Sequence, residues 1–195
     1  MKLILASSSK RRKDIFDMIG LKYDVVISDE KESSNKTNPE EYVKEISLIK
    51  ANNVSEKVKE KAIIIAADTV IYMNGKIYGK PKDKEDAYNS IKEMSGNNTY
   101  AYTGITIKDL YQNKTLTFYD KCEVELDVVS DEEIKWYVEN EIDILQIAGY
   151  AMFGKASLFL KEVRGDYNTL FGLSPNKLYK KLKELGYKLS DFELK

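Results

Sequence analysis

Leu3-Ile4-Leu5-Ala6-Ser7-Ser8-Ser9-Lys10-Arg11-Arg12 is the stretch that decides the fold. A short apolar run stops at three hydroxyls, two arginines follow, and residues 10–19 carry a helical pattern with Ile15, Phe16 and Ile19 on one face. A strand (residues 2–6), a turn and a helix start therefore share one short segment. Free backbone N–H groups and the positive end of the helix dipole favour an anion at such a junction. Two guanidiniums can add bidentate bonds to phosphate oxygens. The same residues also allow a plainer reading, in which Ser9 caps the helix and the arginines form a solvated face.

Working outward, residues 23–27 read as a second strand, and the polar stretch 28–38, which has no clear period, as a loop. Pro39 opens a long helix to about residue 59, since proline suits the first helical turn. Ala62-Ile63-Ile64-Ile65-Ala66-Ala67 is continuously apolar, as in a central strand covered on both faces, and is expected to end at Asp68-Thr69. Residues 70–73 and 76–78 around Asn74-Gly75 predict a hairpin. Helices are predicted over 83–94, from a capping box at Ser130 through 139, and over 175–185. Alternating, aromatic-rich strands are predicted over 100–108 and 116–128, and a further strand over 156–163. This alternation predicts an α/β fold: a mixed, curved β-sheet flanked by helices, with two lobes around a central cleft, in one domain spanning residues 1–195. In open α/β sheets, ligands bind beyond the carboxyl ends of the strands.

Composition excludes several chemistries. Histidine is absent from the 195 residues, so no Ser-His-Asp triad, Cys-His pair or His-based metal site can exist. Acid–base work falls to carboxylates, lysines or tyrosines, and any metal would have mainly oxygen ligands, which favours magnesium or manganese. With 43% hydrophobic and 32% charged residues and a net charge of −1, the chain reads as soluble and globular. It lacks the basic field that drives nucleic-acid binding, so no nucleic-acid partner is expected. The single cysteine, Cys122, cannot form an internal disulfide and sits in an alternating strand pattern, which favours a buried apolar role. No apolar run is long enough to span a membrane, and the opening is too short for a signal peptide, so a cytoplasmic protein without a membrane partner is expected.

Candidate chemical groups cluster at strand ends. Asp68 follows six apolar residues, so it could ligate a metal or accept a proton from water; an Asx turn is the plainer role. Asp29-Glu30 follows the second strand in the same way, and Glu30 and Asp68 could hold one divalent cation between them, whereas Asp29 reads as part of a solvated acidic loop. In Gly79-Lys80-Pro81, a stiff turn could hold Lys80 as a point charge on phosphate. Lys50, among Ile46, Ile49 and Ala51, is either a snorkelling side chain or an inward-facing cation. Together these groups describe an enzyme that handles phosphoanhydrides with magnesium. Neither a GxxxxGK[ST] loop nor a GxGxxG element is present.

Over nearly its whole length the chain resembles the Maf family of nucleoside triphosphate pyrophosphatases, a family named for inhibition of septum formation. Leu5-Ala6-Ser7-Ser8-Ser9-Lys10-Arg11-Arg12 is similar to the family's LASxSPRR opening, with Lys10 in place of proline. Asp29-Glu30, Lys50-Ala51, Ala67-Asp68-Thr69-Val70, Gly79-Lys80-Pro81, Met94-Ser95-Gly96, Tyr102-Thr103-Gly104, Ala148-Gly149-Tyr150 and Gly165-Asp166 with Gly172-Leu173 follow in the family's order. The resemblance implies a fold like that of inosine triphosphate pyrophosphatases and cleavage between the α and β phosphates, giving a monophosphate and pyrophosphate. It implies Asp68 as the base that activates water, and Glu30 with Asp68 at a Mg²⁺ or Mn²⁺ ion. Ser7, Ser9, Arg11, Arg12, Lys50 and Lys80 would bind the triphosphate. Thr69 after the aspartate points to dTTP and UTP, and the family implies a homodimer. The chain departs from the pattern at Thr99, Ile147, Phe153 and Ser174, which stand where the family often has histidine, lysine, glutamine and proline. Those changes at the base-reading end leave open a second class, a nucleotide-binding regulator of cell division with impaired turnover.

Overall fold

The computed structural model describes residues 1–148 and 154–195. In chain order the elements are β1 (Leu3–Leu5), α1 (Lys10–Met18), β2 (Asp24–Val25), α2 (Pro39–Lys57), β3 (Ile63–Met73), β4 (Lys76–Tyr78), α3 (Lys84–Met94), β5 (Asn98–Asp109), β6 (Lys114–Leu126), α4 (Asp131–Asn140), β7 (Leu160–Arg164) and α5 (Pro175–Glu184). Among the described residues the sheet has seven strands in the order β2-β1-β3-β5-β6-β7, with β4 paired to β3. Strands β1, β2 and β3 are parallel, while β4 and β7 join antiparallel, so the sheet is mixed as the sequence predicts. The chain forms two compact units, one of Met1–Asp68, Thr103–Asp120 and Phe171–Lys195, the other of Thr69–Tyr102 and Lys121–Leu170.

In the first unit the apolar runs of β1 and β3 are buried on both faces. Leu3, Leu5, Ile63 and Ile65 pack with Phe16 of α1 and Leu178 and Leu182 of α5. Their neighbours Ile4, Ala6, Ile64 and Ala66 point the other way, onto Ala51 and Val54 of α2. Period-two alternation thus divides one apolar string between two cores, each fully buried Leu or Ile contributing about 1.5–3 kcal/mol. Leu5 pairs with Ile65 in register, and the Ala6 amide donates to the Ile65 carbonyl at 2.8 Å, so β1 ends beside the residues that lead into Asp68. Helix α2 lies backbone to backbone on β5: a Cβ added at Gly104 would stand 2.1 Å from the Val43 carbonyl oxygen. The Thr103-Gly104 pair quoted above therefore has a packing reason.

In the second unit, β3 and β4 form the hairpin predicted around Asn74-Gly75. Ile71 faces Tyr78 and Met73 faces Lys76, and Asn74 and Gly75 take φ of 50° and 82°. Helices α3 and α4 pack together, and Ser130 and Glu133 complete the predicted capping box. Ile147 is buried in this unit and acts as an apolar core residue. Cys122 is buried too, in the role expected for it.

Three expectations need correction. Strand β3 does not end at Asp68-Thr69 but runs through both residues to Met73. Both side chains are half-buried, and Lys50 of α2 supplies Asp68 with a partner, which makes a mid-strand carboxylate tolerable. The strand predicted over 156–163 is instead a 3₁₀ segment, Gly154–Phe159, followed by β7. The Ser157 hydroxyl donates to the Gly154 carbonyl, a local bond that competes with strand pairing. The second strand is only two residues long, and both are exposed.

Candidate active site

The site grows from the end of β1. Ser7 is buried, and its hydroxyl accepts hydrogen bonds from the Ser9 amide (3.2 Å) and from Nη1 of Arg12 (3.1 Å). Arg12 is also buried, and its Nε donates to the Gly172 carbonyl at 2.9 Å, tying α1 to the segment before α5. Burial pulls the Arg12 guanidinium below its ordinary pKa, while the fields of Asp68 and Glu32 push it back up. The guanidinium and both carboxylates therefore share one electrostatic neighbourhood.

Ser9 takes the N-cap position of α1, but its hydroxyl makes no capping bond. The first turn of α1 has no acidic residue and holds Lys10, Arg11 and Arg12, whereas α2, α3 and α4 each carry acids there. Cations at the positive end of a helix dipole are unfavourable by about 0.3–1 kcal/mol each, and an arriving anion relieves that cost. The plainer reading of the opening fails on the Ser9 hydroxyl, which makes no capping bond, and on Arg12, which is buried rather than solvated.

Lys50 resolves as an inward-facing cation. It is 8% exposed, and its Nζ lies 2.8 Å from Oδ1 of Asp68, 2.9 Å from Oε2 of Glu32 and 3.5 Å from the Ala67 carbonyl. The helix offers it because Val43, Ile46, Ala51 and Val54 bury the same side of α2. Asp68 arrives from β3 and Glu32 from the segment before α2, so one ammonium gathers two carboxylates from two directions. Tyr42, in the N-terminal part of α2, is held above its ordinary pKa by burial and by the negative fields of Asp68 and Glu32. Its phenol stays neutral and can donate a hydrogen bond.

Glu32 and Tyr42 escaped the sequence reading. Glu30, the carboxylate named there, is exposed, and its amide donates to the Ser28 hydroxyl at 3.3 Å. The structure brings Glu32, two residues later, to the ammonium that Asp68 also uses. A loop without period gives no signal of which of two nearby carboxylates points inward. Arg11 is half-buried beside Arg12. Thr69 and Lys80 belong to the second unit: Thr69 is half-buried in β3, and Lys80 is exposed with its Nζ 3.5 Å from Oε1 of Gln146. Phe153 lies outside the described residues, as do Gly149 and Tyr150.

A buried arginine, a helix start without a side-chain cap and a lysine that gathers two carboxylates suit a polyphosphate-handling α/β protein. Residues 2–185 match the Maf-like protein family, and the chain belongs to that family. It is 40% identical over 192 residues to a dTTP/UTP pyrophosphatase of Clostridium tetani, covering 97% of this chain and 100% of that protein. It is 37% identical over 187 residues to the dTTP/UTP pyrophosphatase of Carboxydothermus hydrogenoformans, covering 96% and 100%. Among solved structures, a dITP/XTP pyrophosphatase from Mycobacterium abscessus superposes with a TM-score of 0.45 at 13% identity, covering 96% of this chain and 99% of that one.

Proposed function

We propose that this chain is a nucleoside triphosphate pyrophosphatase that hydrolyses dTTP and UTP to the monophosphate and pyrophosphate. The observation that carries the reading is the Asp68–Lys50–Glu32 cluster, in the same unit as the buried Arg12 of α1. Relatives covered over their whole length and named dTTP/UTP pyrophosphatase support the same reaction and the same bases.

In this reading the triphosphate lies against the start of α1. Arg11 and Arg12 neutralise phosphate oxygens, the Ser7 and Ser9 hydroxyls and first-turn amides supply hydrogen bonds, and Lys50 adds a point charge. A water oxygen attacks the α-phosphorus and the bond from that phosphorus to the β-bridging oxygen breaks. The water proton passes to the Asp68 carboxylate, and pyrophosphate leaves with the bridging oxygen. Lys50, 2.8 Å from Oδ1, holds the Asp68 carboxylate in its orientation until then. Asp68 and Glu32 also suit a magnesium or manganese ion, which such sites hold through one or two carboxylates plus substrate phosphates. When bound, that ion supplies charge neutralisation for the departing pyrophosphate. In this reading Glu32, which meets Lys50 at 2.9 Å, serves as the carboxylate beside Asp68, in preference to the exposed Glu30. Among the described residues no set of three or more carboxylate or cysteine ligands gathers.

A screen of canonical and modified triphosphates with Mg²⁺ or Mn²⁺, quantifying both products, tests the assignment. Equimolar pyrophosphate and monophosphate are expected, with dTTP and UTP fastest; release of orthophosphate, or no turnover at all, would sink it. Arg12→Lys is expected to raise KM about tenfold, because an ammonium cannot keep the forked bonds to Ser7 and Gly172 while meeting a phosphate. An unchanged KM would remove Arg12 from the phosphate site. We further propose that residues 1–195 act as one domain, in a cytoplasmic homodimer, which light scattering on the purified protein would check. Among the described residues no helix is long and apolar enough to cross a membrane.

A further inference from the structure

The segment before α2 has neither helix nor strand, yet it runs along α2 in an orderly way. Lys36 meets Glu41 at 3.5 Å, the Ser34 hydroxyl donates to the Glu45 carboxylate, and Glu32 meets Lys50 at 2.9 Å. Farther back, the Asp29 amide donates to Oδ1 of Asn53 at 3.3 Å, and the Asp29 carboxylate lies 2.7 Å from Lys57. Lys57 also donates to the Ile27 carbonyl at 3.1 Å. The partners on α2 are spaced about one turn apart, so they form a single stripe. As the segment climbs in sequence its partners descend, which makes it a strap laid antiparallel along the helix.

The strap has two ends. One is covalent, where it becomes α2 at the Asn38 cap, whose side chain accepts from the Glu40 and Glu41 amides. The other is Lys57 in the last turn, which grips both the chain leaving β2 and the Asp29 carboxylate. Glu32 lies between them and is the strap residue that reaches the ammonium shared with Asp68. Its reach is therefore set by how the strap is fixed on either side. We propose that Lys57 is a positioning residue, a latch that holds the strap so that Glu32 meets Lys50 beside Asp68. This rests on the hydrolase reading above and extends it to a residue far along α2 from the phosphates. It also gives Asp29 a role beyond that of a solvated loop charge.

The test compares Lys57→Gln, Lys57→Arg and the charge swap Asp29→Lys with Lys57→Asp in the full chain. Lys57→Gln is expected to lower kcat about fivefold, in keeping with the modest worth of exposed ion pairs. KM for nucleotide should stay within about twofold, since Ser7 and Arg12 are off the strap, while the magnesium concentration giving half-maximal rate should rise. Tryptic cleavage after Lys31 should quicken in the same variant, a readout that needs no turnover. Lys57→Arg should restore both rates, whereas the charge swap, which keeps the ion pair but loses the bond to the Ile27 carbonyl, should restore them in part. A Lys57→Gln protein with unaltered kcat and cleavage would overturn the latch, as would equal losses in Lys57→Arg. Absence of turnover in the unaltered protein would sink the hydrolase reading and this assignment together; turnover without an effect of Lys57→Gln sinks the latch alone.

Discussion

Asp68→Asn is expected to lower kcat for pyrophosphate release by about three orders of magnitude, within the range that general-base groups contribute. The amide cannot take the water proton, although its oxygen still accepts from Lys50. The fold should survive, because Lys50 keeps Glu32 at 2.9 Å and the Ala67 carbonyl at 3.5 Å. Removing one partner of a fully buried ion pair costs about 3–5 kcal/mol, but the remaining partner and the retained hydrogen bond should hold the loss to about 1–2 kcal/mol. Pyrophosphate release and a thermal melt on the same preparation separate the two effects. A rate within tenfold of the unaltered protein would take Asp68 out of the chemistry. A melt lowered far beyond this would show that its main work is to partner Lys50.

Gly104→Ala is expected to be the most damaging single-methyl change in the first unit. The added carbon would meet the Val43 carbonyl oxygen at 2.1 Å, its carbon at 2.3 Å and the Lys44 nitrogen at 2.7 Å, all backbone atoms of α2. No rotamer change relieves such a contact, so the helix must lift from β5. Overpacking of well-packed interiors costs about 1–3 kcal/mol, and a backbone clash lies at or above the upper end. Lifting α2 also carries Lys50 away from Asp68, so activity should fall further than the unfolded fraction accounts for. Urea unfolding with rate measurements below the transition would show this. A midpoint shift equivalent to less than about 1 kcal/mol would contradict the packing argument.

Local signals in the sequence survive where neighbours in the chain decide the outcome. The strand-to-helix opening, proline at the start of α2, the Asn74-Gly75 turn and the Ser130 capping box are of this kind. The course of β3 is not. Asp68-Thr69 interrupts two apolar runs and reads as a strand end, because nothing nearby in sequence could partner a carboxylate there. Its partner, Lys50, comes from another element, and only the tertiary contact makes continuation cheaper than a turn. The choice between Glu30 and Glu32 has the same origin. Both lie in an aperiodic stretch, and the stripe of polar residues on α2 selects which one points inward. Residues 154–159 failed differently: Ala156-Ser157-Leu158-Phe159 has strand-like composition, but the Ser157 hydroxyl closes a local turn onto Gly154.

Cys122 carries a last consequence. It is the only thiol of the chain, it is 1% exposed on β6, and the backbone of Gly165 lies over it so closely that a Cβ there would be 2.9 Å from its own. β7 pairs with β6 immediately alongside, Glu123 facing Arg164. A thiol reagent can reach the sulfur only when the structure around β6 opens. The protein thus contains its own clock for local opening: the alkylation rate of one unaltered residue counts how often the surroundings of Cys122 come undone, with no label to introduce and no second signal to subtract.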